Sequence, residues 1–373
     1  MEEAVEEVKA VKRAGFERKR AEESRNLKLC LACSIGGHFT EMLELKDVYE
    51  KYEHFFVTNP GKQTISILKN KKKYFMPERK GKKMNFLKQF FLSLKILLIE
   101  KPDVIITTGS GDMFWICVLG KLFRKKIIYI ESFARVTNPS KFGKFVYIFK
   151  FADLFIYQWE KLKRHYPKGV YGGWIFDFSR HPHPDKCNNL LQNGDNISYF
   201  VTVGTSPNDF SRLLKKVDDL IEQKIIKGEV FAQIGHSKYI PKNYEWCRFL
   251  SEREFEEIIK RSELIITHDG AGSISKGLKY KKPMVIVPRL KIYGEISYDN
   301  KFELAKELEE RFGIPVVEEI DNIDKALESI SSLKCCVLST NRKMIEVIGR
   351  ALKTFEMNKN KCSKIYMGLN EKF

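Results

Sequence analysis

The chain has 373 residues, with 66 Lys and Arg against 48 Asp and Glu, a net charge of +18, and 43% hydrophobic and 12% aromatic residues. That composition excludes wholesale disorder and a small disulfide-stapled fold, and the length suits two domains of ordinary size. The basic surplus calls for anionic partners, of which nucleic acid, an acidic membrane surface and phosphorylated small molecules are the classes to test.

Residues 1–26 alternate Glu with Lys and Arg, lack the apolar core of a secretory signal, and read as a charged extension. From residue 27 short apolar runs at 27–33, 54–58, 104–108, 126–131 and 154–158 alternate with helical patterns, which predicts a parallel α/β sheet over a first domain, 27–178. Cys30 and Cys33 have C-x-x-C spacing but lie within the first of these runs, so they face opposite sides of a strand. With no second such pair they read as reduced structural thiols, not a zinc site. A Pro- and Asn-rich stretch, 179–196, is the predicted linker. The pattern then restarts with strands at 197–203, 229–234, 264–267 and 284–288, giving a second domain, 197–355, and a C-terminal tail, 356–373. The fold class is therefore α/β, two Rossmann-like domains with an interdomain cleft between strand carboxyl ends, where open α/β sheets bind ligands.

Glycine-bearing loops follow several predicted strands. Ser34-Ile-Gly36-Gly37-His38 leads from the first strand into a helix, and glycines there let backbone amides approach an anion or simply make a tight turn. His38 and Glu41 share a helix face; either could accept a proton, or His38 could merely cap the turn. Thr107 to Asp112 and Glu131 to Val136 line the same rim, and Glu131 reads either as a ligand contact or as a partner holding Arg135. In the second half, Gly204-Thr205-Ser206 ends one strand, and His268-Asp-Gly270-Ala-Gly272-Ser273 opens a helix with the features of a phosphate loop. No Walker string, zinc-finger spacing or RNA-reading signature occurs, so nucleic acid is not an expected partner.

A run of basic residues from Lys69 to Lys83 precedes an apolar segment, 85–99, whose polar residues Lys88, Gln89, Ser93 and Lys95 form a narrow stripe. Such a helix either covers a sheet or lies in a bilayer interface, with Lys82, Lys83, Phe86, Phe90, Phe91 and Leu94 as the lipid-facing candidates. No run reaches the length of a spanning helix, so the expected location is the cytoplasmic face of a membrane, peripheral or monotopic.

The motifs Ser34 to His38 with Glu41-Met42, Thr108-Gly109, Glu131 to Val136, Gly143-Lys144, Gln158-Trp159 and Tyr171-Gly-Gly173 resemble the membrane-associated subunit of the two-subunit dolichol-diphosphate N-acetylglucosamine transferase. Val201 to Thr205, Gln233-Ile-Gly235 and His268 to Ser273 resemble its donor-binding subunit, so the chain looks like both subunits fused. Val287-Pro-Arg289, Tyr293-Gly-Glu295 and Asp299-Asn300 are similar to a bacterial exopolysaccharide branch that uses glucuronate or galactose.

The resemblance implies a GT-B glycosyltransferase, inverting and without metal or other cofactor, with a UDP-sugar as co-substrate and a sugar-diphosphate-polyprenol as acceptor. Lys276 stands where relatives carry Glu, and Asn300-Lys301 where they carry His-Gln. The added positive charge suits a carboxylated donor, so UDP-glucuronate is the expected donor, with UDP-N-acetylglucosamine or UDP-galactose as the alternative and a noncatalytic membrane scaffold as the rival of another class. The implied catalytic base is His38, with Glu41 in reserve. Donor-binding candidates are Gly204, Thr205, Ser206, Gln233, Gly235, Phe249, Leu250, His268, Gly270, Gly272, Ser273, Arg289, Glu295, Asn300 and Lys301. Acceptor-binding candidates are Gly36, Gly37, Ser110, Asp112, Glu131, Arg135 and Lys144.

Overall fold

The structure, a computed structural model, describes residues 27–79, 83–178, 197–296, 301–330 and 340–370, with side chains up to 360. The predicted extension, 1–26, and linker, 179–196, lie outside the described residues, as do Lys82 and Asn300.

The first unit runs β1 (Lys28–Ala32), α1 (Gly37–Leu43), α2 (Lys46–Tyr49), β2 (Glu53–Thr58), α3 (Lys62–Ile67), β3 (Lys73–Phe75), α4 (Lys83–Glu100), β4 (Val104–Thr107), α5 (Phe114–Leu122), β5 (Lys126–Ile130), α6 (Lys141–Ile148), β6 (Leu154–Tyr157) and β7 (Val170–Tyr171). The second runs β8 (Tyr199–Thr202), α7 (Ser211–Glu222), β9 (Val230–Gln233), β10 (Glu245–Cys247), α8 (Glu252–Arg261), β11 (Leu264–His268), α9 (Ala271–Lys279), β12 (Met284–Val287), α10 (Glu303–Phe312), α11 (Ile323–Ile330) and α12 (Arg342–Asn370).

The strands pair in parallel in the orders β3-β2-β1-β4-β5-β6-β7 and β10-β9-β8-β11-β12. In each sheet the chain winds outward from one central strand and then returns beside it, so the direction of winding reverses between β1 and β4 and between β8 and β11. Loops at those two reversals diverge and leave a crevice at the strand carboxyl ends. The glycine motifs occupy these four loops.

Alternation along β1 divides the core. Leu29, Leu31 and Cys33 face a cluster with Phe39 and Met42, which continues into Phe200, Ile265 and Met284 of the second unit. Cys30 and Ala32 face the opposite cluster, with Ile96, Leu97 and Cys117. The two cysteines are thus separated by the sheet, as their spacing on a strand requires, and both are free thiols. A third cluster lies beyond the second sheet, where Val201, Leu213, Val217 and Val285 meet Ile323.

Three strands went unread in the sequence: β3, β7 and β10. All are two or three residues long and sit at sheet edges, where one-sided pairing demands no long apolar run. The end of the chain also differs from expectation. In place of a second-domain segment to 355 followed by a tail, α12 is one helix that crosses back to the first unit. Asn341 Nδ2 donates to Glu44 O at 3.2 Å, Lys343 Nζ lies 4.2 Å from the Tyr171 ring centroid, and Lys359 pairs with Asp103 at 2.9 Å.

Candidate active site

Gly36, at φ 80°, turns the chain from β1 into α1. Two residues along, His38 Nδ1 donates to the Thr108 carbonyl at 2.7 Å while Thr108 Oγ1 donates back to the His38 carbonyl at 2.8 Å. A carbonyl only accepts, so the proton sits on Nδ1 and Nε2 carries the lone pair. Burial lowers the His38 pKa below the ordinary imidazole value, and the Arg135 charge adds to the lowering against the opposing Thr108 bond and Asp112. His38 is therefore a neutral, oriented imidazole near pH 7. Beside it, a Cβ on Gly109 would stand 3.6 Å from His38 Cε1 and 3.0 Å from Tyr129 Oη, and Ser110 is held at φ 88°, a backbone conformation that costs a non-glycine residue about 1–3 kcal/mol.

Glu41 does not reach the cleft. Its side chain is buried and accepts bonds from Ser132 Oγ at 3.0 Å, Phe133 N at 3.1 Å and Gln158 Nε2 at 2.8 Å; burial pushes its pKa up to about 8 against those donors. The reserve-base expectation fails on this geometry: Glu41 is a strut joining the His38 helix to the loop that carries Arg135. Glu131 is likewise fully buried, accepting from Ser132 N, Ser140 N and Tyr166 Oη, so its carboxylate is held by these donors and not by the exposed Arg135. It cannot meet an acceptor. A Cβ on Gly143 would sit 2.1 Å from its Oε2, so glycine at that position makes room for the buried carboxylate. Arg135 and Lys144 are exposed, and Ser110 and Asp112 half-buried.

In the second unit, the His268 ring fills the space beneath two glycine turns. A Cβ on Gly204, at φ 71°, would stand 2.3 Å from His268 Nε2, and one on Gly270 would stand 2.0 Å from Cε1. Ser273 Oγ lies 3.4 Å from Nε2. Burial, aided by Arg289, lowers the His268 pKa to about 3, so this ring is neutral too. Above it, the Gly204 amide donates to Thr202 Oγ1 at 3.2 Å, so the anion-binding candidates are the main-chain amides of Thr205 and Ser206 and of the first turn of α9. A Cβ on Gly235, at φ 54°, would strike Gly204 O at 2.7 Å, and Phe249 and Leu250 are half-buried nearby in sequence to the Gln233 contact.

Other donor candidates prove to be scaffolding. Gln233 is buried; its Oε1 accepts from Leu250 N at 3.0 Å and its Nε2 donates to Thr202 Oγ1, so the amide fixes the 249–250 loop. Arg289 is buried, donates to the carbonyls of Val203 at 2.6 Å, Glu295 at 3.2 Å and Asn208 at 3.3 Å, and stacks on Phe210; it clamps the loops instead of reaching a diphosphate. Glu295, also buried, takes both Arg212 nitrogens and Leu290 N. Lys276 is buried against Glu252 and 3.7 Å from Glu256, so its charge is already paired and is not offered to a carboxylated sugar. Lys301 is exposed.

The two halves meet across the crevice. A Cβ on Gly37 would lie 3.9 Å from Ala271 Cβ and 4.0 Å from Gly272 N, so the His38 loop faces the start of α9. Gln63 donates to Glu252 at 3.0 Å, Lys62 lies over the Phe249 ring, and Glu303 accepts from Thr137 N and Asn138 N. Lys62 and Gln63 had no signal in the sequence, since α3 carries no motif and its role depends on the opposite domain.

Helix α4 does not keep its predicted polar stripe on one side. Lys88 and Lys95 are exposed, whereas Gln89, which donates to Pro77 O at 2.7 Å, and Ser93 turn inward with Ile96 and Leu97, and Glu100 pairs with Lys28 at 2.8 Å and Lys72 at 2.7 Å. Other apolar residues of the helix turn outward, with Met84, Leu87, Phe91, Leu98 and Ile99 more than half exposed. Of the lipid-facing candidates Phe91 and Lys83 are exposed, whereas Phe86, Phe90 and Leu94 are half-buried, the two aromatics packing on Trp115. Phe114, Phe145 and Phe149 extend the aromatic band to α6. Among the described residues no helix is long and apolar enough to cross a membrane.

Comparison with known proteins agrees with this division. Residues 82–175 match the family of oligosaccharide biosynthesis proteins like Alg14, and residues 198–353 match the glycosyltransferase family 28 C-terminal domain. Acinetobacter baumannii MurG has the same fold, with a TM-score of 0.54 at 11% identity over 90% of this chain and 99% of that one. The fold and the two matched domains define the class, a UDP-sugar glycosyltransferase of GT-B architecture.

The chain belongs to the Alg14 family. It is 30% identical to the mouse UDP-N-acetylglucosamine transferase subunit ALG14 over 40% of this chain and 83% of that protein. The human subunit is 42% identical, over 24% of this chain and 43% of that protein. A further 29% of the chain is 30% identical to the mouse UDP-N-acetylglucosamine transferase subunit ALG13, covering 10% of it.

Proposed function

We propose that this chain transfers N-acetylglucosamine from UDP-N-acetylglucosamine to an N-acetylglucosaminyl-diphosphate lipid, in the assembly of a lipid-linked oligosaccharide, with both functional halves in one polypeptide. The observation that carries the reading is the apposition of Gly37 and Gly272, which brings the His38 loop opposite the start of α9. The donor in this reading is the one named for the ALG14 and ALG13 relatives, in place of glucuronate. The buried pairing of Lys276 removes the reason for favouring a carboxylated sugar.

In this mechanism His38 Nε2 takes the proton of the acceptor hydroxyl as its oxygen attacks the anomeric carbon from the face opposite UDP. The bond between that carbon and the diphosphate oxygen breaks, and the electron pair leaves with UDP. Thr108 holds the imidazole in the tautomer that can accept. Main-chain amides of Thr205 and Ser206 and the first turn of α9, with Ser273, stabilise the growing diphosphate charge, and no metal is required. Arg289 contributes by holding the turn at Val203.

The outward apolar face of α4 rests in the cytoplasmic leaflet, flanked by exposed Lys83, Lys88, Lys95, Lys141 and Lys144, which suit anionic lipid. The test is turnover by the purified chain alone. A panel of UDP-sugars with a short-chain N-acetylglucosaminyl-diphosphate lipid should give a disaccharide product from UDP-N-acetylglucosamine only. Transfer of glucuronate or galactose instead, or a need for a second polypeptide, would refute the reading.

A further inference from the structure

A lipid-linked sugar diphosphate has three chemically distinct parts in fixed order: an apolar chain, a polyanionic diphosphate, and the sugar bearing the reacting hydroxyl. A protein that binds it at a membrane must present apolar surface, cationic donors and the base in that order. The described residues offer such a line. Leu87 and Phe91 stand on the outward face of α4, and Phe86, on the same helix, underlies the Arg79 guanidinium, whose carbon is 4.9 Å from the ring centroid. Arg79 Nη1 donates to Gly111 O at 3.2 Å. Two residues back in that loop is Gly109, where a Cβ would lie 3.6 Å from His38 Cε1. Two residues of chain span at most about 7 Å, so the guanidinium stands one short loop from the base.

The segment that carries Arg79 is held at three points although its side chain is exposed. Gln89 Nε2 donates to Pro77 O at 2.7 Å, Asn85 Nδ2 to Glu78 O at 2.7 Å, and Arg79 N to Asp112 Oδ1 at 3.1 Å. Asp112 is thereby an anchor for Arg79, a better use of a carboxylate than facing a diphosphate. The hydrogen bond of the guanidinium goes to a main-chain carbonyl, and stacking on Phe86 orients the plane without consuming its other donors.

We propose that Arg79 is the residue that binds the diphosphate of the lipid-linked acceptor, standing between the membrane-facing aromatic band and His38. This deepens the transferase reading above and rests on it. A guanidinium fork matches paired phosphate oxygens, and its place at the edge of the apolar face is where the diphosphate must lie when the lipid is in the bilayer and the sugar at the base.

The experiment uses the full chain with Arg79→Gln and Arg79→Lys. Direct binding of a short-chain sugar-diphosphate lipid, read by calorimetry in detergent, should weaken about 10- to 100-fold in Arg79→Gln and partly recover in Arg79→Lys. The KM for UDP-N-acetylglucosamine and the thermal midpoint should stay as in the parent chain. A second arm measures retention on vesicles of phosphatidylcholine and phosphatidylserine without acceptor. Equal acceptor affinity in Arg79→Gln and parent overturns the assignment. So does an equal loss on acceptor-free vesicles, which would make Arg79 a headgroup contact. A fall in thermal midpoint that Arg79→Lys repairs without repairing acceptor binding also overturns it. Acceptor binding by the parent without turnover would count against the transferase reading alone.

Discussion

Replacing Leu87, Phe91 and Leu98 together by Gln separates a membrane surface from a core surface. Their exposures of 53%, 64% and 56% mean that close to half of each side chain is already packed and the rest faces outward. Full burial of a Leu or Phe side chain is worth about 2 kcal/mol, so immersing the exposed part adds about 1 kcal/mol per residue and about 3 kcal/mol for the three. That corresponds to a roughly 100-fold loss of partitioning into vesicles containing anionic lipid, read by co-sedimentation. Folding should change little, because α4 is anchored from its other side by Gln89, Ile96, Leu97 and the Glu100 ion pairs, and Gln is a good helix former. The parent should also elute from such vesicles as salt rises, since the flanking lysines act through screened charge. Partitioning equal to that of the parent, or a thermal midpoint lowered by more than a few degrees, would refute the reasoning.

His38→Ala should abolish transfer with UDP binding retained by calorimetry, whereas Glu41→Ala should cost about 2 kcal/mol of stability, because Ser132 Oγ, Phe133 N and Gln158 Nε2 lose their buried acceptor, and should leave the pH profile of the remaining activity in place. Lys276→Glu should destabilise by about 3 kcal/mol, with Glu252→Lys in the same chain recovering most of it in thermal unfolding; no recovery would show that the pair is not what Lys276 serves. The pH dependence follows from His268: its pKa in the folded chain, about 3, is below the unfolded value near 6.5, so only the unfolded state takes up the proton as pH falls between them. Stability should therefore drop by about 2 kcal/mol per such group from pH 7 to pH 5, and His268→Gln should flatten that slope in denaturant titrations.

The sequence determined the two windings, because each central strand of both sheets is a continuous apolar run that a doubly covered parallel sheet requires, and it located the four glycine loops, three of which turn on a glycine of positive φ, Gly36, Gly109 and Gly204. It also placed His38 at the start of α1, a position that follows from its distance along one loop. The direction in which a side chain points, and whether its hydrogen-bonding capacity is already spent, depends on residues far away in the chain. Glu41 meets Ser132, Phe133 and Gln158, and Arg289 meets Val203 and Asn208, at separations of 81 to 117 residues. For that reason five charged or amide groups that read as ligand contacts, Glu41, Glu131, Gln233, Arg289 and Glu295, are buried supports. The same reason divided α4: periodicity defined a polar stripe, but only Pro77, Lys28 and Lys72, brought in by the fold, decided that Gln89 and Glu100 face the protein while Lys88 and Lys95 stay outside.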